Sequence, residues 1–227
     1  MDALYRMFVP KGGLVFDIGA HVGDRVGSFR RLGARVVAVE PQPGAFRALR
    51  LIYARDLQVT LISAGVGARP GKMQLHLNTA NPTTSTGSQA LIGAAAQSMA
   101  WHDQTWDAEI VVEVTTLDAL VSRFGQPEFV KIDVEGWEAH VLAGLSHPLP
   151  RLSFEITTIQ RDVALDALAR ISQLGSYRFR LALGESQRFE SAGWEEQTAM
   201  AARIASLPDA ANSGDVYAVR ADCLPRP

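Results

Sequence analysis

The chain has 227 residues, 47% hydrophobic and 20% charged, with a formal net charge of −2. These values predict one globular domain with a buried core and give no electrostatic reason to expect nucleic acid or an anionic membrane surface as a partner. No apolar run approaches the ~18 residues of a membrane span, the first residues lack a secretory apolar stretch, and the sole cysteine, Cys223, excludes an intramolecular disulfide or multi-cysteine zinc site, so a cytoplasmic setting is expected.

Leu14, Val15, Phe16 and Ile18 predict a strand buried on both faces. Gly19 and Gly23 permit a tight turn and close approach of a ligand to the backbone. Val22, Val26 and Phe29 then recur at helical spacing, Gly33 stops the helix, and Val36 to Val39 form a second strand ending at Glu40. Such a unit is parallel and right-handed, so the glycine turn and Glu40 meet at the sheet edge where α/β proteins bind ligands. Pro43 to Leu57 reads as a helix and Val59 to Ser63 as the third strand. Lys72 to Leu77 alternates as a strand, with Ile110 to Val114 as its partner.

Between these lies an irregular insertion, residues 78–109, whose length and two tryptophan sites, Trp101 and Trp106, suggest a mobile cover. Thr116 starts a helix carrying Leu117, Leu120, Val121 and Phe124. Residues 129–145 repeat the earlier order of strand, acid, glycine turn and helix. Leu152 to Ile156 is a strand bearing Glu155, and Leu165 to Leu174 a helix. Tyr177 to Leu183 alternates as a strand, Met200 to Leu207 is helical, and Val216 to Val219 is the last strand.

The acids indicate the ligand. Glu40 can accept hydrogen bonds from ribose hydroxyls, as in dinucleotide folds, but His21 breaks the G-x-G-x-x-G pattern. Asp17 suits a cation better than a pyrophosphate. S-adenosylmethionine, with its ammonium and sulfonium, fits both carboxylates. Competing readings are a helix-capping Asp17 and a nicotinamide-dependent dehydrogenase.

VFDIGAHVG, VVAVEP and FVKIDVEGWEAHVLAGL, supported by LISAGVG and TTLDAL, resemble the corresponding segments of the FkbM-type methyltransferases. The resemblance implies an α/β class I methyltransferase fold of the Rossmann-like kind: a seven-stranded, mostly parallel sheet with helices on both faces and an antiparallel last strand. It implies methyl transfer from S-adenosylmethionine to a hydroxyl oxygen of a sugar, glycan or polyketide-like acceptor. Asp17, Gly19, Ala20, His21 and Gly23 would surround the methionine portion, and Glu40 the ribose. Pro41 would turn beneath the adenine, with Ser63 and Ala64 bordering it. Asp133 and Glu135 would face the sulfonium, Asp133 as base or acceptor-orienting group with Glu135 in support. Glu138 reads as a capping acid.

His102 and His140 are weaker candidates for the base; His76 and His147 look structural or exposed. Asp133, Glu135 and Glu155 could together hold Mg²⁺, yet a metal-free site is expected, because acids two apart in a turning segment need not converge. The sequence departs from the family pattern at His21, commonly Asn, and at Trp137, commonly small, which makes the acceptor less transferable. An inactive cofactor-binding protein that acts through partners is the remaining alternative.

Overall fold

The apolar runs become the central strands of one sheet. The computed structural model describes residues 1–224. A short helix, α1 (Asp2–Tyr5), precedes β1 (Leu14–Ile18), α2 (Asp24–Arg31), β2 (Arg35–Val39), α3 (Pro43–Tyr53) and β3 (Val59–Ile62). β4 (Gly65–Val66), β5 (Gly71–Leu77), α4 (Gln89–Ala95) and β6 (Ala108–Thr115) follow. The chain continues through α5 (Leu117–Phe124), β7 (Phe129–Ile132), α6 (Glu138–Ala143), β8 (Arg151–Thr157), α7 (Arg161–Leu174), β9 (Tyr177–Leu183), α8 (Gln197–Ser206) and β10 (Ser213–Arg220).

Seven strands lie in the order β3-β2-β1-β7-β8-β10-β9. The first five are parallel, and β10 inserts antiparallel between β8 and β9, giving the mostly parallel, seven-stranded sheet with an antiparallel last strand that the resemblance implies. Strand parity sorts the core into two layers. Phe16, Ile18, Val130 and Phe154 face the helices α5 to α8, whereas Val15, Phe129 and Tyr217 face α1, α2 and α3. A second small sheet, β4-β6-β5, stands beside the main one.

Three expectations change. The helix after Pro43 ends at Tyr53, and Leu57 is 96% exposed, because the chain turns where Asp56 accepts hydrogen bonds from Arg30 Nε and the Gln58 amide. Val22 precedes α2, whose first residue is Asp24. The insertion 78–109 is ordered, with a 3-10 turn at Pro82–Thr84 and the helix α4, capped by Ser88 Oγ on the Leu91 amide. Its tryptophans are anchors: Trp101 Nε1 donates to Asn212 Oδ1 at 2.9 Å and Trp106 Nε1 to the Thr84 carbonyl at 2.8 Å. Composition hid this order, because one indole N–H can fasten an otherwise polar loop. No helix among the described residues is long and apolar enough to cross a membrane.

Candidate active site

The carboxyl ends of β1, β2 and β7 open on a cleft of about 1090 Å³, counting the space continuous with solvent at its mouth. Its first wall is the glycine turn. Gly19 has φ +80°, and a Cβ there would overlap the Asp133 carbonyl oxygen, so the turn after β1 can lie against the turn after β7 only with glycine. His21 is also left-handed, with φ 47°. Histidine, like asparagine, tolerates this region better than most side chains, which accounts for its standing where the family pattern has Asn. The His21 amide donates to Glu40 Oε2 at 2.8 Å, and the Gln42 amide to Glu40 Oε1 at 2.7 Å. Two backbone donors thus fix the Glu40 carboxylate at the rim, each oxygen keeping a second lone pair for a ligand hydroxyl.

Of the residues expected at the cofactor, Gly19, Ala20, His21, Glu40, Pro41, Ala64 and Asp133 line this cleft, as does Glu135. Asp17, Gly23 and Ser63 do not. Asp17 shares strand parity with Val15 and is fully buried beneath α2, with neither carboxylate oxygen hydrogen-bonded. Burial pushes its carboxyl up to about 7, against the pull of Arg25 and Lys131. Gly23 packs below Leu49 and Tyr53, whose hydroxyl donates to the Gly23 carbonyl at 2.7 Å. Ser63 is exposed and turned towards Pro43 and Phe46 of α3, outside the cleft.

The far wall is acidic. Glu135 is left-handed (φ 52°) and is followed by left-handed Gly136, so the chain folds back. Carboxylate oxygens of Asp133, Glu135 and Glu155 come within 4.8 Å of one another. Acids two apart in a turning segment need not converge, yet these do, the backward turn being the reason. Such a group could share a proton or bridge a hard cation. Thr86 Oγ1 holds the turn by donating to the Glu135 carbonyl at 2.6 Å, and Glu138 accepts from the Val134 and Gly136 amides. Glu138, in the first turn of α6, thus braces the turn before the helix rather than capping it; the N-cap residue Trp137 makes no side-chain capping hydrogen bond.

Lys131 and Arg25, which the sequence did not single out, organise the charges. Lys131 Nζ is fully buried, 2.7 Å from Asp215 Oδ1 and 3.2 Å from Asp133 Oδ2. A lone lysine in the apolar run Phe129–Ile132 was the available signal, since a buried ammonium requires partners. Arg25 Nη2 lies 3.7 Å from Asp133 Oδ2. Burial would raise the Asp133 carboxyl, but Lys131 and Arg25, with hydrogen bonds from Glu155 and Lys131, hold it below the ordinary carboxylate range. Burial and the neighbouring Asp133 charge push Glu135 and Glu155 well above it. The cluster thus pairs an ionised acid with acids that retain protons.

Trp137 lines the cleft, its ring stacked on His140 at 3.7 Å between centroids. Burial lowers the His140 pKa. His102 and His147 are exposed, and His76 Nδ1 sits 3.0 Å from Glu109 Oε1. None of these four histidines lines the cleft.

The family model of the FkbM methyltransferase domain matches residues 17–206. Among solved structures, precorrin-6Y C5,15-methyltransferase from Geobacter metallireducens is 13% identical, with a TM-score of 0.51 over 96% of this chain and 84% of that one. A putative rRNA methylase from Clostridium thermocellum is 10% identical, with a TM-score of 0.47 over 96% and 92% of the two chains. Fibrillarin from Aeropyrum pernix, solved with bound S-adenosyl-L-methionine, is 12% identical, with a TM-score of 0.46 over 93% and 68%. The first likeness shows the fold alone; the other two are too loose to add to it. No curated protein matches.

Proposed function

The chain belongs to the FkbM methyltransferase family and takes S-adenosylmethionine as methyl donor; on that premise we propose that it methylates a hydroxyl oxygen of a sugar, glycan or polyketide-like acceptor. The observation that carries this reading is the convergence of Asp133, Glu135 and Glu155 on the cleft beside Trp137. Acids accept hydrogen bonds from hydroxyls, and an indole face covers the apolar side of a sugar ring. A cleft lined by acids also disfavours a phosphodiester backbone, so the partner is a small molecule or glycan rather than nucleic acid. We further assign the chain as a single cytoplasmic catalytic domain.

The cofactor supplies an electrophilic methyl group. The Glu40 carboxylate at the rim, with the acidic far wall, suits a cationic nucleoside, whereas Asp17 is buried behind the glycine turn and does not reach the cleft. Glu40 holds the ribose hydroxyls, and the turn from Gly19 to His21 supports the methionine part. Ala64 and Pro41 border the adenine. At the other end Asp133, kept ionised by Lys131, accepts the acceptor's hydroxyl hydrogen as the oxygen bonds to carbon. Glu135 and Glu155, protonated, donate to neighbouring acceptor oxygens and hold the nucleophile in line. This arrangement works without a metal.

The test is transfer from methyl-labelled S-adenosylmethionine to a panel of glycans and polyketides, with RNA alongside. Labelled methyl ethers are expected, and Asp133→Asn should lower turnover by ~10²–10⁴-fold while S-adenosylhomocysteine still binds. Label appearing only on carbon, nitrogen or RNA would overturn the acceptor assignment. Activity abolished by chelator and restored by Mg²⁺ would overturn the metal-free one.

A further inference from the structure

Six carboxylates line the cleft, those of Asp24, Glu40, Asp133, Glu135, Glu155 and Glu185. Among the described residues, its lining contains one guanidinium, that of Arg25, and no lysine. Arg25 stands in the first turn of α2, just past the glycine turn, with its side chain 21% exposed. A guanidinium has five N–H donors, yet the hydrogen bond recorded for this one runs from Nη2 to Glu185 Oε1, at 3.1 Å. Arg25 Nε is buried with no partner. The contact with Asp133, at 3.7 Å, is an ion pair too long for a hydrogen bond. Glu185 is a poor counter-ion, since its side chain is 73% exposed and solvated, on the segment beyond β9.

A buried donor left unmatched in a cleft marks the place of a missing acceptor. S-adenosylmethionine carries a single anionic group, the carboxylate of its methionine part. A planar fork matches a carboxylate through two parallel hydrogen bonds, which an ammonium cannot do. We propose that Arg25 is the receptor for the cofactor's carboxylate, and that Glu185 occupies the guanidinium when the cofactor is absent. The inference rests on the cleft being the cofactor site and is independent of the acceptor. Arg25 then has two anions to satisfy, Asp133 on the reaction side and the cofactor on the other, so one side chain ties cofactor seating to the charge of the reaction-side acid.

Calorimetry with S-adenosylhomocysteine and its decarboxylated analogue, which keeps the adenosine, thioether and amine, separates this role from a structural one. The wild-type protein should prefer the carboxylate-bearing ligand by about 10- to 100-fold, the scale of a hydrogen bond to a charged group. Arg25→Met should remove that preference by weakening S-adenosylhomocysteine alone. Glu185→Gln should leave the analogue unaffected and S-adenosylhomocysteine bound at least as tightly. Circular dichroism checks that Arg25→Met is folded, and Arg25→Gln replaces it if it is not. Equal weakening of both ligands, or a wild-type protein that does not discriminate between them, would overturn the proposal. Failure of the wild-type protein to bind either ligand would instead remove the cofactor site on which it rests.

Discussion

Replacing Lys131 by methionine isolates the charge on which the acidic wall depends. The side chain keeps nearly the same length, so packing is retained while the ammonium between Asp215 and Asp133, at 2.7 and 3.2 Å, disappears. Breaking a buried pair by removing one partner costs ~3–5 kcal/mol, because the other charge stays buried. For a chain of this size ~1 kcal/mol moves the melting temperature by ~2–4 °C, so a fall of roughly 6–20 °C is expected at pH 7.5. The deficit should narrow on acidification. Without Lys131, its largest opposing influence, burial pushes the Asp133 carboxyl upward, and a buried acid so raised destabilises progressively as pH rises past the unfolded value near 4. Thermal unfolding of both proteins at pH 5 and 7.5, followed by circular dichroism, measures this. Adding Asp215→Asn should recover part of the loss at pH 7.5. A deficit under ~2 °C, or one equal at both pH values, would refute the assignment of Lys131 as the buried counter-charge.

The wild-type protein should itself lose stability between pH 5 and 8. Burial, in each case the largest influence, pushes Asp17, Glu40 and Glu138 up to about 7, so over this range the folded state retains protons that the unfolded chain has released. A flat melting profile would contradict that, and the shift given by saturating S-adenosylmethionine should be larger at pH 8 than at pH 5. Glu40→Ala removes the proposed ribose acceptor together with the partner of the His21 and Gln42 amides. S-adenosylhomocysteine binding should weaken by ~1.5–3 kcal/mol by calorimetry; NAD bound as tightly as that ligand by the wild-type protein would contradict the reading of Glu40.

The parts legible in the sequence were those set by local patterns. The apolar run at Leu14, the paired glycines and the acid ending the second strand each leave a mark within a few residues. The parallel pairing of the first two strands follows from the handedness of their connection. Ser63 illustrates how narrow the margin is: it follows β3 immediately, and a shift of one residue in a period-two element reverses the side chain's direction, so Ala64 reaches the cleft and Ser63 does not. What could not be read was carried by contacts between distant parts of the chain. The separations are 84 residues for Lys131 to Asp215, 160 for Arg25 to Glu185 and 111 for Trp101 to Asn212. No local pattern encodes such pairings. The left-handed turn at Glu135 was equally hidden, since its Glu-Gly pair reads as an ordinary helix approach until the backbone angles are known.

The insertion of β10 between β8 and β9 has a consequence for assembly. The residues we propose to hold the nucleoside, from the glycine turn through Glu40 to Ala64, lie within the first 64 residues of the chain. Asp215, the close partner of Lys131, belongs to the final strand, and Asn212, which accepts from Trp101 Nε1, immediately precedes it. During synthesis these residues emerge well before Lys131 meets Asp215 or Trp101 meets Asn212, and before Tyr217 closes the core layer beneath α1 and α2. The last strand to enter the sheet is therefore the one that gives Lys131 its closest partner and fixes it beside Asp133.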